Sequence, residues 1–159
     1  MKFPARLAMV AVASFTFAGG LGFTAAAHAE AVSAEVTIAH AGSGCGSARA
    51  GSYNTGTQRG QLNVTGHIYV VGDNCPSGIK DFPSGYLGSS AYLKTTGGSV
   101  CSSVGVTYST TTTAYKSSMA YLYSPCVRPS QLSGGGVGYF YNGGGYSSRG
   151  VQAPYQLFS

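Results

Sequence analysis

Apolar and polar residues alternate in short runs along most of this chain, and no segment sustains a helical period. The cleanest run is Gln61 to Val71. Leu62, Val64, Ile68 and Val70 share one side with Gly66, while Gln61, Asn63, Thr65, His67 and Tyr69 take the other. That is a strand with one buried face. A shorter alternation sets Val36, Ile38 and His40 on one side of a first strand. Ala41 to Ser52 is rich in Gly, Ser and Ala and predicts a loop, and Asp73 to Ser84 a second one.

The stretch from Gly85 to Val127 predicts a three-stranded antiparallel meander. Leu87, Ala91 and Leu93 fall on odd positions. After the break at Thr95–Gly98, Val100, Val104, Val106 and Tyr108 fall on even ones. A hairpin centred on Gly97 sets Leu93 opposite Val100 and Leu87 opposite Val106, merging the two apolar rows into one buried face. A second hairpin, centred between Thr113 and Ala114, carries that face onto Met119, Tyr121 and Tyr123. The same register sets Cys101 opposite Cys126.

Beyond the meander, Gly134-Gly135-Gly136 marks a break. Val137 to Tyr141 is a strand, Asn142 to Gly145 a hairpin turn, and Tyr146 to Val151 its return. Ala153 to Ser159 is an apolar tail. Many short strands at this spacing predict an all-β chain, a single antiparallel β-sandwich or barrel-like domain.

The N-terminus changes the setting. Lys2 and Arg6 precede the apolar run Leu7–Phe23, and Ala27-His28-Ala29 is a small-x-small cleavage site. Residues 1–29 are therefore expected to be a secretory signal peptide, and 30–159 one disulfide-stabilised all-β domain. An uncleaved anchor is the weaker alternative, because the run is short and broken by Gly19, Gly20 and Gly22.

All four cysteines fall in the mature part, and an even number in a small exported chain predicts disulfides. The pairs expected are Cys101–Cys126, from the meander register, and Cys45–Cys75, joining the ends of a hairpin with its turn at Thr57–Gly60. No close C-x-x-C pair is present, so no metal site is expected.

Composition narrows the chemistry. The formal charge is +5 for the whole chain, and its basic residues are scattered singly, unlike a nucleic-acid surface. The expected partners exclude nucleic acid and stable membrane insertion of the mature chain. The mature carboxylates are Glu30, Glu35, Asp73 and Asp81, and the mature histidines His40 and His67. Their spacing builds neither a paired-carboxylate site nor a Ser-His-Asp site. His67 falls on the polar face of its strand and is expected in solvent. No nucleotide-binding or metalloprotease motif occurs, so no catalytic residue, metal or cofactor is assigned.

Twelve tyrosines and no tryptophan remain as the unusual asset. Tyrosine joins apolar area to a hydroxyl and suits binding surfaces, although it is also an ordinary strand residue. On the outward face of the meander the expected binding residues are Tyr86, Tyr92, Ser90 and Thr107, beside Ser103.

The run YFYNGGGYSSRGVQAPYQ, with GYLGSSAYLKTTGGSVCSSVGVTY before it, resembles small exported Gly/Tyr/Ser-rich β proteins of actinomycete-type Gram-positive bacteria. The resemblance covers residues 85–159. It implies export and β structure and brings no activity with it.

These observations predict a secreted chain, free in the medium or on the cell wall, with a non-enzymatic binding or surface-structural role. The partner is an unidentified exported protein or a cell-wall glycan. Two alternatives stay open. One is a small secreted toxin, bacteriocin or protease inhibitor acting through the Asp73–Ser84 loop. The other is a carbohydrate or cell-wall binding module.

Overall fold

The alternation at Gln61 forms the centre of the larger of two sheets. A computed structural model describes residues 30–54, 57–69, 75, 77–122, 126 and 130–158. The expected leader, together with Val70, Asp73 and Tyr123, lies outside these residues. Every regular element among them is a strand, and the strands form two antiparallel sheets.

The first sheet is built on a hairpin of β3 (Gly44–Tyr53) and β4 (Arg59–Ile68), paired from Gly44↔Ile68 to Tyr53↔Arg59. Two strands, β1 (Glu30–Val32) and β2 (Val36–Ala41), follow one another along the outer edge of β3. On the other side of β4 run β8 (Tyr115–Tyr121) and the short β5 (Ser77–Ile79). In the second sheet, β6 (Leu87–Thr95) lies between β7 (Val100–Tyr108) and β9 (Ser130–Tyr141). The far edge of β9 is shared by β10 (Tyr146–Gln152) and β11 (Gln156–Phe158). The sheets pack face to face, with β3 and β4 against β6 and β9. The all-β sandwich is therefore present, as its alternating pattern predicts.

Its core is made of small residues around a few large ones. Ala48, Ala50, Leu62, Val64, Leu87, Ala91 and Phe140 are buried between the sheets. Phe140 lies on Gly46, and Phe82 meets it edge-on with ring centroids 4.9 Å apart. A second cluster, at the other end, joins Leu93, Cys101, Leu132 and Phe158.

Several expectations are corrected here, and small residues explain most of them. Ala41–Ser52 is not a loop: most of it is β3, a central strand. Gly134–Gly136 is not a break but the middle of β9. The facing sheet leaves no room for a side chain at Gly46, under Phe140, or at Gly134, against Gly51 and Gly60, while Gly135 and Gly136 are crowded by Tyr92 and Ser90 of the neighbouring strand. Gly60 belongs to β4 rather than to a turn, since the hairpin closes between Tyr53 and Arg59. The tail contributes β11, and its Phe158 is fully buried.

The meander holds for its first hairpin only. β6 and β7 do pair, but Leu93 faces Ser102 and Lys94 faces Val100, with two register shifts along the ladder. β8 then leaves for the first sheet and pairs with β4, not β7. The valine row is not buried: Val100, Val104 and Val106 are 59%, 38% and 42% exposed. On β8 the buried residues are Ser118 and Ala120, while Met119 is exposed. Ser118 and Ser89 bond hydroxyl to hydroxyl across the sandwich at 2.7 Å. Ile68, expected inside, is exposed at the end of β4.

Both expected disulfides form, Cys45–Cys75 and Cys101–Cys126, with Cα separations of 5.9 and 5.5 Å. The second does not cross a hairpin as its register argument required. It ties β7 in the second sheet to the segment beyond β8 in the first. Such bonds persist in an oxidising environment. Among the described residues, no helix is long and apolar enough to cross a membrane.

Candidate functional site: a tyrosine face on the second sheet

Because β6 is central, residues from three strands meet around Gly88. Its register partners are Tyr108 on β7 and Tyr139 on β9. Tyr141 lies opposite Tyr146 across the β9–β10 hairpin. Tyr86, just before β6, accepts a backbone bond from Tyr141 at 2.9 Å. Their rings touch in a chain: Tyr86 to Tyr141 at 5.1 Å, Tyr141 to Tyr146 at 5.4 Å, Tyr146 to Tyr108 at 4.7 Å and Tyr108 to Tyr139 at 6.2 Å between centroids. Tilted and edge-on contacts of this kind add to the area buried.

Hydroxyl bonds fix two of these rings. Tyr146 donates to the Gly85 carbonyl at 2.7 Å, and Tyr141 to the Gly143 carbonyl at 3.1 Å. The turn below Tyr141 is held by Asn142, whose Oδ1 accepts from the amides of Gly144 and Gly145. Loss of water around the Tyr146 hydroxyl, and then the neighbouring Tyr108 and Tyr141 hydroxyls, hold its pKa above the ordinary tyrosine value. It stays a protonated donor well into alkaline solution.

Glycines let two rings lie on the sheet. A Cβ on Gly88 would stand 2.6 Å from Cδ1 and Cε1 of Tyr108. A Cβ on Gly135 would stand 2.6 Å from Cζ and the hydroxyl of Tyr92. Each ring therefore occupies the space a side chain would take, covering a glycine on the adjacent strand. Lys94 places its Nζ 5.2 Å from the centre of the Tyr92 ring.

The residues expected at this face are partly brought together. Tyr92 does lie on the outward side of β6, half-buried. Tyr86, just before the strand, packs against the core and stacks on the buried Phe82 with ring centroids 6.0 Å apart, reaching the face only at its edge through Tyr141. Ser90 is engaged in the fold: its hydroxyl accepts from the Val137 amide at 3.2 Å and donates to the Val137 carbonyl. Thr107 is exposed on β7, but it is in register with the buried Ser89, whose hydroxyl crosses the sandwich to Ser118, so it lies on the opposite side of the sheet from the tyrosines. Tyr108, Tyr139, Tyr141 and Tyr146 were missing from the expectation. Tyr108 was assigned to a buried row, and the others reach the face only through the long-range pairing of β9 with β6. The tyrosine content of YFYNGGGY was the one available signal.

A second constellation lies on the first sheet. His67 is buried, contrary to its expected place in solvent. Its Nε2 stands 2.9 Å from the Ser47 hydroxyl and 3.0 Å from the Glu35 carboxylate, and its Nδ1 stands 3.1 Å from the Gly78 carbonyl. Ser47 also donates to Glu35. The grouping contains a serine, a histidine and an acid, but its geometry is not that of a nucleophile. Ser47 is 1% exposed and spends its proton on the carboxylate. Which of Ser47 and His67 donates between Oγ and Nε2 depends on the imidazole tautomer; it is the burial of Ser47 that keeps its hydroxyl from a substrate. These residues clip Glu35 to β3, β4 and β5. His40 instead is exposed, with its ring 4.3 Å from that of Tyr69. Among the described residues, no group of three His, Cys, Asp or Glu is placed to hold a metal ion.

No family model, curated protein or solved structure matches the chain.

Proposed function

We propose that the chain is an exported, non-enzymatic binding protein whose contact surface is the outward face of the second sheet. One observation carries this reading: Tyr108, Tyr139, Tyr141 and Tyr146 are in ring contact on that face, with Tyr86 against Tyr141 at its edge. Rigid rings lose little side-chain freedom on binding and offer both apolar area and hydroxyls. Export is supported by the leader-like N-terminus and by disulfides suited to an oxidising compartment.

The test is retention of the chain from residue 30 on cell-wall material, insoluble polysaccharides and immobilised exported proteins. Wild-type chain should be retained by one of these, and Tyr146→Ser with Tyr108→Ser should release it. Equal retention of the substituted chain would remove this face as the contact surface.

A surface-structural role is favoured by a different observation. β7 is an edge strand of nine residues, VCSSVGVTY, with no charge, no proline and three exposed valines. Such edges pair with other chains. Sedimentation of the wild type should then show concentration-dependent association that Val104→Lys abolishes. A monomer at all concentrations would dismiss this role.

A further inference from the structure

We infer that the ligand of the tyrosine face is an uncharged polysaccharide, stacked on Tyr108 and Tyr92 as two separate platforms. The inference rests on the binding role proposed above and adds the chemical class of the ligand.

The first argument is ring placement. Tyr108 covers Gly88 and Tyr92 covers Gly135, each at a distance no residue with a side chain would allow. The edge of the Tyr108 ring and the tip of the Tyr92 ring lie over these glycines, both rings are half-buried, and the Lys94 ammonium lies over the Tyr92 ring, so that a sugar stacking there displaces it. The π-face carries negative charge density and attracts positive edges. The C–H groups of a pyranose ring form such an edge, set in a flat disc of matching size.

The second argument is charge. Among the described residues, Lys94 is the one charged side chain that the register sets on this face, and its ammonium lies over the Tyr92 ring. Tracking an anionic polymer takes Lys or Arg along its path. A cationic partner calls for carboxylates, and the described ones are elsewhere. Glu30 bonds Tyr53, Glu35 bonds Ser47, and Asp81 precedes Phe82 in the connection to β6. An uncharged face complements an uncharged ligand. Hydroxyls at Ser103, in register with Tyr92, and Ser148, in register with Tyr139, supply neutral hydrogen-bonding groups.

The third argument is span. The two covered glycines are four residues apart along β6 and one strand apart across the sheet, roughly 14 Å at ordinary strand spacings. That exceeds one sugar ring, so both platforms are filled only by a chain of sugars.

The probes are microcrystalline cellulose, chitin, insoluble β-1,3-glucan and mannan, with lipoteichoic acid and heparin as anionic counterparts. Wild-type chain should be retained by at least one neutral polymer and released by its oligosaccharides but not by the monosaccharide. Tyr92→Leu and Tyr108→Leu keep an apolar cover over the glycine and remove the flat ring. Each should weaken retention about tenfold with the melting temperature preserved. Tyr92→Phe and Tyr108→Phe keep the ring and should retain binding. Retention only on the anionic polymers, or loss in the Phe variants with none in the Leu variants, would overturn the inference. If the neutral polymers fail while a protein ligand is bound and the Leu variants release it, the glycan class is wrong and the binding face stands. If a neutral polymer is retained equally by wild type and Leu variants, both are wrong.

Discussion

Gly134 on β9 lies directly across the sandwich from Gly60 on β4. A Cβ on Gly134 would stand 2.7 Å from the Gly60 Cα, and one on Gly60 would stand 2.9 Å from the Gly134 Cα. Both neighbours are backbone, so neither side can yield by turning a rotamer. Gly134→Ala or Gly60→Ala should therefore force the sheets apart and destabilise the fold by about 3 kcal/mol, the upper end of ordinary overpacking. Chemical denaturation of each variant measures this. A loss near zero would mean that the sheets are further apart than described.

That contact also explains what the sequence conceals. Period-two alternation finds strands, and it finds β4, most of β6 and the β9–β10 hairpin. It assigns faces on the assumption that the larger apolar residues point inward. Here β8 turns Met119 outward and buries Ser118 and Ala120, while β7, an edge strand, buries Cys101 and leaves Val104 and Val106 exposed, Val104 although it is in register with the core residue Ala91. The closeness of the sheets makes GCGSARAGSY a central strand while its composition reads as loop. Cys101–Cys126 was predicted correctly from a register that is wrong. Both cysteines fall in the second core cluster, at one end of the sandwich. Tyr92 was legible as an outward residue of β6, whereas Tyr86, just before it, packs against the core. The neighbouring tyrosines were not legible, since which strand flanks β6 depends on pairing across about forty intervening residues.

The Glu35–Ser47–His67 clip should act as one unit. Its members come from three segments: Ser47 and His67 are buried, and the Glu35 side chain, 40% exposed, closes the group from outside. Ser47→Ala should cost about 1–3 kcal/mol by leaving a buried partner unsatisfied, and Glu35→Ala, at a partly exposed site, about 1 kcal/mol or less. A double-mutant cycle between them should show coupling of about 0.5 kcal/mol or more. Additive losses would mean that the contacts are independent.

Stability should fall in alkaline solution through Tyr53. Its pKa is raised, first by burial, then by its hydrogen bond to Glu30 and that carboxylate's charge, against the opposing pull of Arg59 and Arg49. The folded state therefore holds the phenol proton more tightly than the unfolded chain. This share of stability is complete below the ordinary tyrosine pKa, about 10, and is lost as pH rises through the raised value. Thermal melts from about pH 9 to about pH 11 should show a decline that is shallower in Tyr53→Phe. An identical decline in wild type and variant would assign it to other groups.

The outward face of the second sheet is tested most directly by covalent footprinting of the wild-type chain, free and bound to the material that retains it. Tyr146, 48% exposed when free, should lose most of its labelling on binding, and Tyr108 should follow. Tyr115, 60% exposed on the first sheet, should label equally in both states. Protection of Tyr115 with Tyr146 unchanged would contradict the account.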